Sequence, residues 1–149
     1  MDKEHKLSVI IDIYSTLADI SHRLHYLEQK PKDWDAFYAA FSDDKPITAS
    51  IVLLKYLVGL NILIVTGRSE LYAEQTKEWL SRNGVKYDSI FFREMNDRRQ
   101  DYIVKQAIYR NQIKQQYGAV LFVLEDRTQC VDMWRSEGLF TLQCTKGDY

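Results

Sequence analysis

The sequence is poor in the residues and segments that mark several large classes of protein. Only two of its 149 residues are cysteines, Cys130 and Cys144, and their spacing is not that of a metal site. Both lie in apolar surroundings, which favours two buried free thiols over a disulfide. No apolar run approaches the ~20 residues that a membrane-spanning helix needs. The sequence thus predicts neither a disulfide-stapled fold nor a membrane protein.

The sequence also lacks an excess of charge of either sign. Its 20 lysines and arginines nearly balance 21 acidic residues, which leaves a formal net charge of −1. No global basic field therefore draws it to nucleic acid or to a membrane, although a local basic stripe is compatible with this total. Residues 1–6 are charged and lead directly into a predicted strand, so they are not expected to form a signal peptide. A cytoplasmic protein is expected.

Internal repeats, low-complexity segments and a phosphate-binding loop of the pattern Gly-x-x-x-x-Gly-Lys-Ser/Thr are all absent, so no kinase module is predicted. What the chain does contain is 46% hydrophobic residues, in short runs that alternate with helical patterns. We predict strands over residues 7–13, 60–65, 89–92, 119–124 and 140–143. We predict helices over residues 48–58, 71–83, 101–117 and 128–137.

This alternation predicts parallel strand pairing through right-handed helical crossovers. The expected architecture is α/β, a three-layer, Rossmann-like parallel sheet of about five strands. Residues 19–46 differ from the rest, because they are polar and aromatic and contain both prolines, Pro31 and Pro46. They are predicted to form a small helical cap insert, with a short helix that is capped by Asp33 and runs through Phe41.

Four polar clusters follow the predicted strands or open a helix. They are Asp12-Ile13-Tyr14-Ser15-Thr16, Thr66-Gly67-Arg68, Asp101 with Lys105, and Glu125-Asp126-Arg127. In an open α/β sheet, ligands bind outside the carboxyl ends of the strands, so these clusters can converge on one site. A nucleophilic carboxylate, a hydroxyl, a lysine and an acidic pair together indicate metal-assisted phosphoryl transfer through an aspartyl-phosphate.

Each of these clusters also has an ordinary structural interpretation. Asp12 follows an apolar strand and would be costly to bury unpaired, but aspartate is also common as a turn cap. Thr66, Gly67 and Arg68 can form a helix-capping turn, or a phosphate site in which Arg68 gives a bidentate grip. Lys105 is either a solvated helix residue or the cation that neutralises the nucleophile and the phosphate.

A purely structural role explains the adjacent acids Glu125 and Asp126 less well than it explains the other clusters. Two carboxylates at the end of a buried strand repel one another unless a cation or an arginine compensates them. Mg²⁺ prefers such hard oxygen ligands. We therefore predict a Mg²⁺ site formed by Asp12, Asp126 and the Tyr14 carbonyl, with Glu125 as a further candidate ligand.

The motifs follow one another in a fixed order. This order is Asp12-x-x-x-Thr16-Leu17-Ala18, Ser21-His22-Arg23, Asp33-Trp34, Ile64-Val65-Thr66-Gly67-Arg68, Asp97-Arg98-Arg99-x-Asp101-Tyr102-x-x-Lys105 and Glu125-Asp126-Arg127. It resembles the haloacid dehalogenase (HAD) superfamily and, more closely, the 3′-phosphatase domain of bacteriophage-type polynucleotide kinases. The resemblance covers nearly the whole chain and implies one HAD-like phosphatase domain over residues 1–149.

The resemblance also implies roles for individual residues. Asp12 takes the position of the nucleophile, Thr66 and Lys105 those of phosphate contacts, and Asp126 that of a direct metal ligand. The implied substrate-binding positions are Arg23, Gly67, Arg68, Asp101 and Arg127. The implied activity is Mg²⁺-dependent hydrolysis of 3′-phosphomonoesters, and the implied partner is a phosphorylated small molecule or a nucleic-acid end.

The chain departs from the family pattern most at Tyr14, with a smaller change at Glu125, which stands for the first Asp of the acidic pair. The usual motif Asp-x-Asp-Gly-Thr reads Asp12-Ile13-Tyr14-Ser15-Thr16 here, so Tyr14 replaces the family's general acid and base. Such a group contributes ~10²–10⁴-fold to the rate, and a phenol with an ordinary pKa of about 10 is a poor base at neutral pH. The chain is therefore either a phosphatase that Tyr14 impairs or an inactive pseudo-phosphatase that binds phosphate or nucleotide. Other HAD chemistry is a third alternative, because Asp-x-Tyr also resembles the metal-free dehalogenases.

Three arginines precede Lys105 in a predicted loop, Arg93, Arg98 and Arg99. They can form the local basic rim of a nucleic-acid site that a net charge of −1 hides. The alternative is an ordinary solvated loop, and the sequence does not separate the two.

Overall fold

The architecture is built on a sheet of parallel strands, seen in a computed structural model that describes residues 6–147 and 149. Its strands are β1 (Ser8–Ile11), β4 (Asn61–Ser69), β5 (Ser89–Arg93), β6 (Val120–Arg127) and β7 (Thr141–Gly147). Their spatial order is β5-β4-β1-β6-β7, and all neighbouring pairs are parallel. The prediction of a parallel sheet of about five strands is confirmed. The signal-peptide prediction falls mainly on residues 1–5, outside the described residues.

Helices cover both faces of this sheet. In chain order they are α1 (His25–Glu28), α2 (Trp34–Ala39), α3 (Thr48–Tyr56), α4 (Ala73–Arg82), α5 (Asp101–Ile108), α6 (Lys114–Gln116) and α7 (Thr128–Ser136). The helix predicted over residues 101–117 consists of α5 and α6 joined by a π-helical segment, Tyr109–Ile113. The helix predicted over residues 71–83 begins with a 3₁₀ turn, Glu70–Tyr72.

The central strand β1 is buried on both faces, as a strand of a covered parallel sheet should be. Val9 and Ile11 belong to the core on one side of the sheet, which also contains Trp79 of α4. Ile10 belongs to the core on the other side, which also contains Trp134 of α7. Alternate residues of one strand therefore serve two separate cores, and the predicted three-layer arrangement is confirmed.

The predicted insert lies between β1 and α3. A short antiparallel ladder of β2 (Ala18–Asp19) and β3 (Lys45–Pro46) forms its base. The Asp33 side chain accepts a hydrogen bond from the Ala36 N–H at 3.0 Å, so Asp33 caps α2 as the sequence predicts. The insert has its own small core, which contains Ile20, Leu27 and Phe37.

Some boundaries and one burial prediction are wrong. β4 and β6 continue past register shifts, so Thr66–Arg68 and Glu125–Arg127 lie within strands rather than in loops after them. Cys130 and Cys144 are free thiols, and Cys130 is buried as predicted. Cys144 is exposed, because it lies on the outermost strand, β7. Among the described residues, no helix is long and apolar enough to cross a membrane.

Candidate active site

The acidic residues predicted at the strand ends come together at the carboxyl edge of the sheet. Asp12 directly follows β1, and Glu125 and Asp126 lie near the end of the neighbouring strand β6. One carboxylate oxygen from each of the three residues lies within 4.8 Å of the others. All three side chains are buried, with Asp12 the most exposed at 4%. The carboxyl ends of adjacent parallel strands meet at one edge, which explains the convergence.

Lys105 lies at the centre of the cluster. It projects from α5, and its Nζ is 3.0 Å from Asp12 Oδ1 and 2.9 Å from Glu125 Oε2. It also lies 3.3 Å from Asp101 Oδ2, one helical turn earlier. Burial alone would lower the pKa of Lys105, but these three acids raise it well above its usual value. The lysine therefore stays charged even though only 1% of its side chain is exposed.

One ammonium group does not neutralise the cluster. Burial raises the pKa of Asp12 to about 7, against the opposing effect of Lys105. Burial likewise raises the pKa of Glu125 to about 8, and the neighbouring Asp12 adds to this shift. The pKa of Asp126 rises to about 6, again mainly through burial. The protein alone thus tends to hold protons at this site, because its carboxylates are buried and the ammonium group of Lys105 does not fully compensate that burial.

The donor set fits a hard divalent cation. Asp126 Oδ1 is buried and has no hydrogen-bond partner among the described residues. A buried carboxylate oxygen without a partner is costly, and cation coordination would remove that cost. Asp12, which has a carboxylate oxygen within 4.8 Å of one from Asp126, is the second natural ligand. Glu125 is a weaker candidate, because its Oε2 already accepts hydrogen bonds from Lys105 and from Trp134 Nε1.

Tyr149 is a site residue that no sequence motif indicates. Its hydroxyl donates a hydrogen bond to Asp126 Oδ2 at 2.9 Å, and its carbonyl oxygen accepts one from Arg127 Nε at 2.9 Å. The chain reaches this position past Gly147, where a Cβ atom would lie 2.7 Å from the Asp126 carbonyl oxygen. Burial and the neighbouring acids raise the pKa of Tyr149 far above its usual value, so the hydroxyl remains a donor.

The predicted substrate-binding residues Gly67, Asp101 and Arg127 all line one cleft in front of Asp12. A Cβ atom on Gly67 would overlap Asp101 Oδ1, so glycine at this position leaves room for the Asp101 carboxylate against β4. Arg127 Nη1 lies 3.6 Å from Asp101 Oδ2. Thr66 is buried just before Gly67, and its Oγ1 accepts a hydrogen bond from the Arg68 N–H at 3.1 Å.

Tyr14 also lines the cleft, in the position that departs from the family motif. Its hydroxyl oxygen accepts a hydrogen bond from Arg68 Nη1 at 3.1 Å. Its ring packs edge-on against Phe37 and lies 4.5 Å from the Arg23 guanidinium. The following residue, Ser15, has a φ of 56°. The Tyr14 side chain is thus held in the wall between the insert and the sheet.

The structure places Arg23 and Arg68, the other two predicted substrate-binding residues, outside the lining of the cleft. Both are fully buried and lie behind the cleft wall. Arg23 forms two 2.7 Å hydrogen bonds to Asp44 and one to the Phe37 carbonyl oxygen. Besides Tyr14, Arg68 donates to the side chains of Thr76 and Gln75 and to the Tyr38 carbonyl oxygen. Because these donors are occupied, the two arginines act as structural links: Arg23 connects parts of the insert, and Arg68 connects the insert to β4 and α4.

The cleft has a volume of about 750 Å³, and Arg93, Arg98 and Arg99 lie on its rim, as one sequence interpretation expects. The three arginines differ in whether other protein groups already bind their guanidinium groups. Arg93 donates to the carbonyl oxygens of Gly67, Asp97 and Arg99, so it fastens the rim loop to β4. Arg99 is paired with Asp97 at 2.8 Å. Arg98 is exposed and has no ion-pair partner among the described residues.

Known proteins share both the sequence pattern and this architecture. The family model for the phosphatase domain of polynucleotide kinase PNKP matches residues 6–149. A "Putative bifunctional polynucleotide kinase/RNA ligase" of Autographa californica nuclear polyhedrosis virus is 27% identical over 146 residues, which are 95% of this chain and 20% of that protein.

Solved structures agree with the family match. A chain of the Pnkp1/Rnl/Hen1 RNA repair complex is 30% identical, with a TM-score of 0.83 over 100% of this chain and 46% of that one. A hydrolase from Streptococcus pneumoniae has the same fold, with a TM-score of 0.56 and 14% identity over 95% of this chain and 92% of that one. The chain spans less than half the length of the viral relative and of the repair-complex chain. It belongs to the HAD family of polynucleotide kinase phosphatase domains.

Proposed function

We propose that the chain hydrolyses terminal 3′-phosphates of polynucleotides through an aspartyl-phosphate on Asp12. The observation that carries this proposal is the buried cluster in which Asp12 lies between Lys105 and the acids of β6. Family membership supports phosphatase chemistry. The viral relative is described as a polynucleotide kinase/RNA ligase and the structural relative as part of an RNA repair complex, and both descriptions favour an RNA end as substrate.

The proposed reaction has two displacements at phosphorus. A carboxylate oxygen of Asp12 attacks the phosphorus atom, the bond from phosphorus to O3′ breaks, and O3′ leaves with the electron pair and takes a proton. Water then attacks the same phosphorus atom, the bond to Asp12 breaks, and inorganic phosphate leaves. Lys105 balances the negative charge of Asp12 and of the incoming phosphate. A Mg²⁺ ion held by Asp12, Asp126 and the Tyr14 carbonyl would add electrostatic stabilisation of the phosphoryl oxygens.

The step of this scheme that depends most on Tyr14 is the protonation of O3′. Tyr14 accepts a hydrogen bond from Arg68, so its own proton is not used in that contact and can be given to a ligand in the cleft. A phenol is nevertheless a poor base for activating the water of the second step. We therefore propose slow turnover on alkyl phosphates, with accumulation of the aspartyl-phosphate.

The second candidate function is a pseudo-phosphatase that binds phosphate ends without turnover. The observation that favours it is the fixed position of Tyr14, which packs against Phe37 and leaves no carboxylate in the place of the family's general acid. The two candidates share a phosphate pocket and differ only in whether the leaving oxygen obtains its proton.

Hydrolysis of two substrates tests the proposal. We expect slow release of phosphate from a 3′-phosphorylated oligonucleotide and faster release from p-nitrophenyl phosphate, whose leaving group is stable as an anion. Asp12→Asn should be inactive on both, and rapid quenching should trap a phosphoenzyme only in the unsubstituted protein. The exposed Asp132→Asn on α7 is the matched control. Efficient oligonucleotide turnover without a detectable phosphoenzyme would contradict the proposed mechanism.

A restored motif separates the two candidates. Tyr14→Asp combined with Ser15→Gly returns the general acid and suits the positive φ at position 15. If Tyr14 limits the rate, this variant should act on the oligonucleotide ~10²-fold faster or more. Equal and measurable rates for the two proteins would show that Tyr14 is an adequate replacement and would exclude the pseudo-phosphatase, whereas two inactive proteins would contradict the proposed hydrolysis.

A further inference from the structure

The cleft extends well beyond the volume that a phosphate group needs. Its inner end is formed by Asp12 and the surrounding site, while its outer part runs between the insert and the rim loop of residues 94–100. At about 750 Å³ it lies in the upper half of the ~300–1,000 Å³ range typical of sites that enclose small organic ligands. The outer part must therefore contact something other than the reacting phosphate.

A row of three aromatic side chains forms the insert wall of this outer part. The rings of Trp34 and Tyr38 are stacked, with centroids 5.8 Å apart and an interplanar angle of 27°. Tyr72, from the turn before α4, continues the row with its centroid 5.8 Å from that of Tyr38. All three residues line the cleft. Two separate parts of the chain thus contribute rings to one continuous surface.

Trp34 is not a member of the hydrophobic cores of the described residues, although its ring packs edge-on against Phe37 with centroids 5.8 Å apart and the Lys32 ammonium lies 5.7 Å from its centroid. The insert core consists of other side chains, among them Phe37, and Trp34 remains 37% exposed. Trp79 and Trp134, by contrast, are fully buried. An indole at the open end of an aromatic row, facing a cleft, is a platform on which a nucleobase can stack.

The opposite wall supplies charge for a sugar–phosphate backbone. Arg98 is exposed on the rim loop, and Arg93 anchors that loop through the Gly67 carbonyl oxygen at 2.7 Å. Asp35 and Glu94 also line the cleft and offset part of this charge. The electrostatic attraction is therefore local and modest, so aromatic stacking must carry most of the recognition.

We infer that Trp34 stacks a base of the strand that carries the terminal phosphate, so that the outer cleft binds a single-stranded oligonucleotide rather than a mononucleotide or a sugar phosphate. The inference rests on the proposed function for the identity of the inner ligand. A base–aromatic contact tolerates any base, because every base has a π-face. The subsite therefore selects for chain length and for single strands, without selecting a sequence.

Binding of a length series tests this inference in an Asp12→Asn background, which prevents turnover. The probes are 3′-phosphorylated mono-, di- and tetranucleotides, and the affinity is measured by displacement of a labelled oligonucleotide followed by fluorescence anisotropy. The tetranucleotide should bind roughly 5- to 150-fold more tightly than the mononucleotide. Trp34→Ala should remove this advantage, and Trp34→Phe should keep part of it. Tyr56→Ala, an aromatic that is 79% exposed on α3, should leave it unchanged.

A spectroscopic signal separates stacking from a change in fold. Because the other two tryptophans are buried, quenching of tryptophan fluorescence by the tetranucleotide should come from Trp34 and disappear in Trp34→Phe. Equal affinities across the length series, or a tetranucleotide affinity that Trp34→Ala does not change, would overturn the inference.

A 3′-hydroxyl tetranucleotide distinguishes failure of the subsite from failure of the proposed function. If only the stacking inference is wrong, the 3′-phosphate should still be preferred over the 3′-hydroxyl, but the length dependence should be absent. If the length dependence is present and the 3′-phosphate is not preferred, the subsite stands and the inner site is not a phosphate site.

Discussion

Raising the pH should destabilise the protein when no divalent cation is present. Burial raises the pKa of Asp12 from 3.8, the value of an unperturbed carboxyl, to about 7 in the folded protein. Between these values the folded protein holds a proton that the unfolded chain has released, so stability is greatest at the acid end and falls as the pH rises. Glu125, with a pKa of about 8, and Asp126, with one of about 6, act in the same direction. The lowered pKa of Asp101 acts only below this window.

The magnitude follows from the number of protons. Each extra proton held by the folded state lowers the free energy of unfolding by about 1.4 kcal/mol per pH unit. A single proton shared by the coupled acids therefore accounts for a fall of about 3 kcal/mol from pH 5 to pH 7, and a second proton would increase it. For a chain of this length, the single-proton value corresponds to a fall in Tm of roughly 6–12 °C. Saturating Mg²⁺ should raise Tm most at the high-pH end, because it binds the ionised carboxylates.

Thermal unfolding between about pH 5 and pH 8, in chelator and in Mg²⁺, measures this effect. Asp12→Asn removes one of the titrating groups and should flatten the fall, whereas Asp132→Asn, on the exposed face of α7, should keep it. A Tm in chelator that rises from pH 5 to pH 7 would refute the reasoning, because the three acids would then be ionised together beside Lys105.

Three further substitutions test the site. Asp126→Asn should abolish the Mg²⁺ binding seen by calorimetry, since it removes the negative charge from the side chain whose buried Oδ1 has no partner among the described residues; equal binding would remove the metal from the proposal. Gly67→Ala should cost about 1–3 kcal/mol of stability, because its Cβ overlaps the Asp101 side chain; an unchanged Tm would show that this side chain moves aside at little cost. Tyr149→Phe should weaken Mg²⁺ binding roughly 10–100-fold by releasing Asp126 Oδ2, and unchanged affinity would leave Tyr149 a packing residue only.

The parts of the site that sequence predicts well are those that depend on strand ends. Asp12 and Asp126 follow from apolar runs that stop at a carboxylate, and the topology of a parallel sheet then brings them together. Arg23 and Arg68 stand close to these motifs in sequence, but spacing does not tell whether a side chain faces the cleft or the wall behind it. In the structure the Arg23 guanidinium is bonded to Asp44 and that of Arg68 to a main-chain oxygen of the insert, away from the cleft lining.

Tyr149 could not be predicted for a different reason. Its contact with Asp126 depends on the end of β7, where a Cβ atom on Gly147 would lie 2.7 Å from the Asp126 carbonyl oxygen. That proximity is a tertiary property and leaves no local pattern. The aromatic row has the same origin, because Tyr38 and Tyr72 are far apart in sequence and adjacent only in the folded chain.

The hydrogen bonds that join the insert to the sheet layer also determine how the molecule can move. Arg68 and Trp79 donate to main-chain oxygens of the insert, and Arg82 donates to the Ser42 carbonyl oxygen at 2.9 Å. A cap fastened in this way cannot swing as a rigid body without breaking several buried contacts. Amide protons of the buried part of the insert should therefore exchange with solvent as slowly as those of the sheet. Ligands would enter and leave through a permanently open mouth, so product release would not wait for the microsecond-to-millisecond lid motions that limit many enzymes.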